Sequence, residues 1–175
     1  MVETAQRLRQ GGIAIEVVSV GATPTARDIA RVPGITEIRP GTYIFNDLNE
    51  MTLGVATEET CALTVLATIV SIPADDRAVF DAGAKTLSSD LLSPPSSRKG
   101  YGYIKGYPDV IIARLNEEHG ILSLQDARRR LKIGQQVEII PNHICPVVNL
   151  ARVMYLMRNG VCEGSVEVTA AAKNR

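Results

Sequence analysis

The sequence predicts a mixed α/β fold in two parts: an incomplete α/β segment over residues 1–50, then a mainly antiparallel β domain over residues 51–175. Three observations carry this prediction. Residues 1–50 run helix, strand, loop, short helix, strand, loop, the rhythm of a parallel α/β unit. Beyond about Glu50, short β-branched runs follow one another without long helices between them, which suits an antiparallel sheet or small barrel. The composition is 45% hydrophobic and 22% charged, ordinary for a chain able to bury a sizeable core or two small ones.

The elements follow in order. Val2–Gln10 reads as a helix stopped by Gly11-Gly12. Residues 13–20 (IAIEVVSV) are largely apolar on both faces, as in a buried parallel strand. Residues 21–25 are a loop, 26–31 a brief helical turn closed by Pro33-Gly34, and 35–38 a second short strand ending in Arg39-Pro40-Gly41-Thr42. One strand–helix–strand piece cannot make a stable sheet alone, so this start reads as the tail of a larger α/β domain. Strands are then expected over 62–71, 77–81, 110–115, 136–141 and 161–169. Residues 88–106, rich in Ser, Pro, Gly and Tyr, read as a long loop, and residues 123–132 as a short helix. Residues 149–158 read as mixed.

Composition excludes several functions. Nineteen basic residues balance nineteen acidic ones, so no electrostatic argument favours nucleic acid or an anionic membrane. Trp is absent and Phe occurs twice, which leaves little for base stacking. The longest apolar run, residues 61–70, is too short to span a bilayer. The polar Met1–Gln10 stretch is not a signal peptide. Cys61, Cys145 and Cys162 are irregularly spaced and odd in number, which fits a reducing cytoplasm better than a disulfide framework.

Two features carry candidate chemistry. In residues 141–150 (PNHICPVVNL), His143 precedes Cys145 by two positions. On an extended segment both side chains face one way, and imidazole with thiolate suits zinc. Two ligands make an open site, since a closed structural site needs four. The plain alternative is a histidine at a strand end beside a cysteine buried as a small hydrophobe, and spacing alone favours it. The second feature is a pair of loops following the two N-terminal strands. Gly21 and Thr23 in one, and Gly41 and Thr42 in the other, suit phosphate binding by backbone amides and hydroxyls, although Gly, Pro and Thr are also ordinary turn residues.

Six blocks now gain a common meaning: VGATPT, TEIRPGTYIFND, DAGAKTLSSD, GYGYIKGYPD, RLNEEHG and IIPNHICPVVNL, in that order. Together they resemble the C-terminal part of the D-serine dehydratase and D-threonine aldolase family, pyridoxal-phosphate (PLP) enzymes of the alanine-racemase fold type. The resemblance covers nearly the whole chain. It implies the end of a (β/α)8 barrel followed by an antiparallel β domain, paired as a homodimer. It implies that Gly21, Thr23, Gly41 and Thr42 cradle the cofactor phosphate, that Arg39 lies near the pyridine ring, and that His143 and Cys145 hold the metal. The aldolase branch has an aspartate where this chain has Cys145; a thiolate favours zinc and tilts the reading toward D-serine dehydration to pyruvate and ammonia, with D-threonine cleavage second. Tyr43, Glu118 and His119 lie in matched blocks without assigned roles.

The family's Schiff-base lysine lies upstream of these blocks. None of Lys85, Lys99, Lys105, Lys132 and Lys173 occupies its motif; Lys85, in a β-domain block, reads as structural. The resemblance therefore implies a lyase portion that acts on a D-amino acid only with its missing half. The alternative is a non-catalytic remnant that folds, dimerises or binds metal. Left alone, Val17, Val18, Val20, Ile35 and Ile38 would be open apolar surface, so dimerisation through residues 13–44 is expected.

Overall fold

Glu3 and Arg7 pair at 2.6 Å across one turn of helix α1 (Val2–Gln10). Charge placement suits the helix, with Glu3 in the first turn and Arg7 and Arg9 in the last. Gly12, at φ +83°, ends it. These residues belong to the first of two compact units, Met1–Phe45; the second is Asn46–Arg175. The computed structural model describes residues 1–173 except 95, 126, 128 and 129.

In the first unit, strand β1 (Ser19–Val20) pairs in parallel with β2 (Glu37–Ile38), and the helical turn α2 (Ala26–Ile29) lies between them in sequence. The strand expected over residues 13–20 forms a ladder only at its last two residues. Extended structure needs a hydrogen-bonded neighbour, and β2 supplies two positions. Val17 is exposed as expected and Val18 is not: it is buried, with its N–H on Thr36 Oγ1 at 2.8 Å.

The second unit opens on helix α3 (Leu48–Thr52) and is built on a six-stranded antiparallel sheet. Its strands are β3 (Val65–Ala74), β4 (Arg77–Phe80), β5 (Tyr103–Ile104), β6 (Ile111–Leu115), β7 (Gly120–Ser123) and β8 (Gln136–Ile140), in the order β5-β8-β3-β4-β7-β6. Alternation sends Ile69, Ala78, Phe80, Ile112, Leu122 and Ile139 to one fully buried face. Register slips between Ile69 and Ser71 and between Ile112 and Arg114 bend the sheet around that core. The strand expected over 62–71 pairs from Val65, because Val65 lies opposite Ile139 and β8 stops where Pro141 lacks an N–H. Strand β7 was not expected. Its Gly120 lies against the Phe80 ring, where any Cβ would overlap. The helix expected over 123–132 falls partly on residues 126, 128 and 129, outside the described residues.

Helix α4 (Ala84–Leu87) is tied to the β6–β7 turn by Ala84 N–H to Asn116 O at 2.8 Å and Lys85 N–H to Glu117 O at 3.0 Å. The Lys85 ammonium pairs with Glu117 and Glu118 in the same turn. Helix α5 (Ile144–Leu150) leads into a two-stranded hairpin, β9 (Val153–Arg158) and β10 (Val161–Glu167). Asn159 and Gly160, both at positive φ, make its tight turn. The hairpin exposes Tyr155, Leu156, Met157 and Val161. Among the described residues no helix is long and apolar enough to cross a membrane.

Candidate active-site corner

Residues 141–144 form the corner between β8 and α5, and each of the four is fastened. Pro141 O accepts from Leu48 N at 3.0 Å. Asn142 O accepts from Asn49 N at 3.2 Å and from Asn49 Nδ2 at 2.8 Å. The buried Asn142 side chain donates through Nδ2 to Asp90 O at 2.9 Å and Gly100 O at 2.8 Å. Ile144 N–H donates to Asp47 Oδ2 at 3.0 Å, while Asp47 Oδ1 accepts from Glu50 N at 3.0 Å as the N-cap of α3. One buried carboxylate thus begins both α3 and α5.

His143 stands at the N-cap of α5, half-exposed, with Nδ1 2.7 Å from Asp90 Oδ2. A carboxylate only accepts, so a neutral imidazole here carries its proton on Nδ1 and keeps Nε2 as its acceptor. Cys145 is exposed in the first helical turn. The expected extended segment is therefore corrected: strand alternation does not relate Cys145 to His143. Pro146 does not prevent the helix, because a first-turn residue needs no N–H partner. Among the described residues no group of three or more His, Cys, Asp and Glu side chains converges on one metal point. The donor set is an imidazole nitrogen and a thiol, a soft pair that fits an open zinc site. Of the other cysteines, Cys61 is buried against Asp47 O, and burial followed by the Asp47 charge pushes its thiol up to about 11. It stays a neutral thiol.

The two N-terminal loops of the first unit are cross-linked. Gly21, at φ +142°, brings its α-carbon so close to Arg39 that a Cβ would meet Arg39 N at 2.6 Å. Thr23 Oγ1 accepts from Tyr43 N at 3.1 Å. Each loop opens a short helical turn whose N-cap, Ala22 or Gly41, gives no side-chain cap. A side chain at Gly41 would enter open space. Gly21, Thr23, Gly41 and Thr42 thus lie in adjoining loops. The Arg39 guanidinium donates to Ser19 Oγ at 2.7 Å and lies 3.9 Å from Glu37.

Residues 62–157 match the family model described as "Putative serine dehydratase domain". D-threonine aldolase of Arthrobacter sp. is 33% identical over 175 residues, covering 98% of this chain and 44% of that one. The chain belongs to the D-serine dehydratase and D-threonine aldolase family. Within that family, D-threo-3-hydroxyaspartate dehydratase of Delftia sp. is 38% identical over 157 residues, covering 82% of this chain and 41% of its own. A solved structure of that enzyme, a cysteine-to-alanine mutant in the metal-free form, superposes with TM-score 0.80 at 33% identity, covering 95% of this chain and 48% of that one. A histidine two positions before that cysteine has also been changed to alanine. The chain thus spans less than half the length of each of these named relatives.

Sequence reasoning singled out His143 and Cys145 as candidates and missed Asp47, Asn49, Asp90 and Asn142, which fasten the segment that carries them. Asp90 ends the DAGAKTLSSD block, and Asp47 ends TEIRPGTYIFND. The blocks were visible; their meeting at one corner required the fold.

Proposed function

We propose that this chain is the C-terminal part of a PLP- and zinc-dependent lyase acting on a D-3-hydroxy amino acid, with D-serine dehydration to pyruvate and ammonia favoured over D-threonine cleavage. The observation that carries the reading is the His143–Cys145 pair on a fully fastened corner, with Nδ1 of His143 already engaged by Asp90. The Delftia enzyme supports it, since a histidine and a cysteine at the same spacing were altered there and the cysteine mutant is metal-free.

In this reading His143 Nε2 and Cys145 Sγ hold the ion and leave its remaining positions open. Bound there, zinc supplies Lewis acidity toward the substrate hydroxyl, making it a better leaving group. Gly21, Thr23, Gly41 and Thr42 hold the cofactor phosphate, with Arg39 beside the ring. Bound PLP supplies the electron sink for charge developing at Cα. Asp47 starts the helix that carries Cys145, and Asn142 pins the segment that carries Asp90. The barrel tail, the homodimer and a cytoplasmic setting belong to the same reading.

Elemental analysis of the purified chain tests it, for wild type and Cys145→Ser. About one zinc per chain, lost in the variant, is the stoichiometry of an open two-residue site. No metal in either protein would overturn the metal assignment and favour a β domain that folds without catalytic competence.

A further inference from the structure

The Asp90–His143 contact bears a consequence beyond ligand identity. Asp90 is held at three points. Its N–H donates to Ser88 Oγ at 3.1 Å, its carbonyl accepts from Asn142 Nδ2 at 2.9 Å, and its Oδ2 meets His143 Nδ1 at 2.7 Å. Consecutive residues, Asn142 and His143, therefore grip its main chain and its side chain. Ser88, at φ +61°, sets the turn after α4 that delivers Asp90 to this point. A non-glycine residue in that conformation persists only where its surroundings impose it.

We propose that Asp90 is a positioning residue: its carboxylate fixes His143 in the Nδ1–H tautomer and locks the ring, so that Nε2 is the ligating nitrogen. A free neutral imidazole exchanges between tautomers, and only the one with a bare Nε2 presents that nitrogen to an ion. A carboxylate behind a ligating histidine also raises the basicity of the ligating nitrogen. The proposal rests on the metal reading for its use, and on the Asp90–His143 geometry for its substance.

The test uses the two-histidine content of the chain, His119 and His143. Long-range proton–nitrogen NMR of the metal-free chain, at a pH where both rings are neutral, reports each tautomer; a His119→Asn sample assigns the signals. The expected result is an Nδ1–H tautomer for His143 in wild type, lost in Asp90→Ala while the remaining amide spectrum is retained. Competition with a zinc chelator should show affinity falling roughly 10- to 100-fold in Asp90→Ala. A wild-type His143 with its proton on Nε2 overturns the proposal without reference to any variant. Zinc bound equally by wild type and Asp90→Ala, but not by Cys145→Ser, overturns it while the metal site stands. If wild type takes no zinc yet its tautomer depends on Asp90, the positioning role holds and the metal reading alone falls.

Discussion

Asp47 Oδ2 accepts the Ile144 amide at 3.0 Å across 97 positions of sequence. With Oδ1 on the Glu50 amide, one side chain that is 1% exposed caps two helices at once. Asp47→Ala removes both caps and leaves the Ile144 amide buried and unpaired. A cap is worth about 1 kcal/mol and an orphaned buried donor about 1–3 kcal/mol. The expected loss is therefore about 3 kcal/mol. Asp47→Asn, which keeps one acceptor oxygen, should lose about half of that. Urea unfolding followed by circular dichroism measures both, and a change within about 0.5 kcal/mol, typical of a plain surface site, would contradict the double-cap account.

Gly120 and Phe80 are fitted to each other. Any Cβ on Gly120 would overlap the Phe80 ring, which is fully buried. Gly120→Ala should destabilise the second unit by about 3 kcal/mol, at the upper end of overpacking costs. Phe80→Leu alone also destabilises, but combined with Gly120→Ala it should recover part of the loss. Thermal melts of the three variants complete the double-mutant cycle. Purely additive losses would show that the two residues do not share one space.

Glu50 sets a pH dependence. Its carboxyl is nearly buried, and its Oε2 has no hydrogen-bond partner among the described residues. Burial, and then the Asp47 charge, raise its pKa above 4.5. The folded state thus binds a proton more tightly than the unfolded state. This contribution to stability is fully present below 4.5 and is lost as pH rises through the folded value. Glu50→Gln keeps the shape without the ionisation. It should raise stability at neutral pH and remove this downward slope. Denaturation midpoints measured from acid to neutral pH decide the matter: parallel profiles for the two proteins would remove Glu50 as the cause.

The parts of the fold that showed in the sequence are those where local pattern and tertiary pairing agree. Arg77–Phe80 and Gln136–Ile140 are β-branched or apolar runs that found partners on both sides, and Ile111–Leu115 is another that pairs along one side as an edge strand. Residues 13–18 have the same composition and form no ladder, because pairing partners are not written into a run. Strand β7 was hidden by its length and its opening glycine; it follows a turn closed by Asn116 N–H on His119 O at 2.8 Å. At the site, His143 and Cys145 stood out as rare residue types at close spacing. Their conformation did not, because proline and two valines in ICPVVNL read as extended, whereas Pro146 is harmless in a first turn. Asp90 lies 53 residues from the histidine it touches, and such a contact has no local signature.

The fastening of residues 141–144 to residues 47–49, 90 and 100 has a thermodynamic consequence. The conformational entropy of this corner is already lost when the chain folds. Under the proposed metal reading, an ion arriving there would have little backbone left to order, so less of its intrinsic affinity would be offset on binding. Selectivity at such a rigid seat would then depend on donor chemistry and fit, with little freedom for the corner to reshape itself around a poor match.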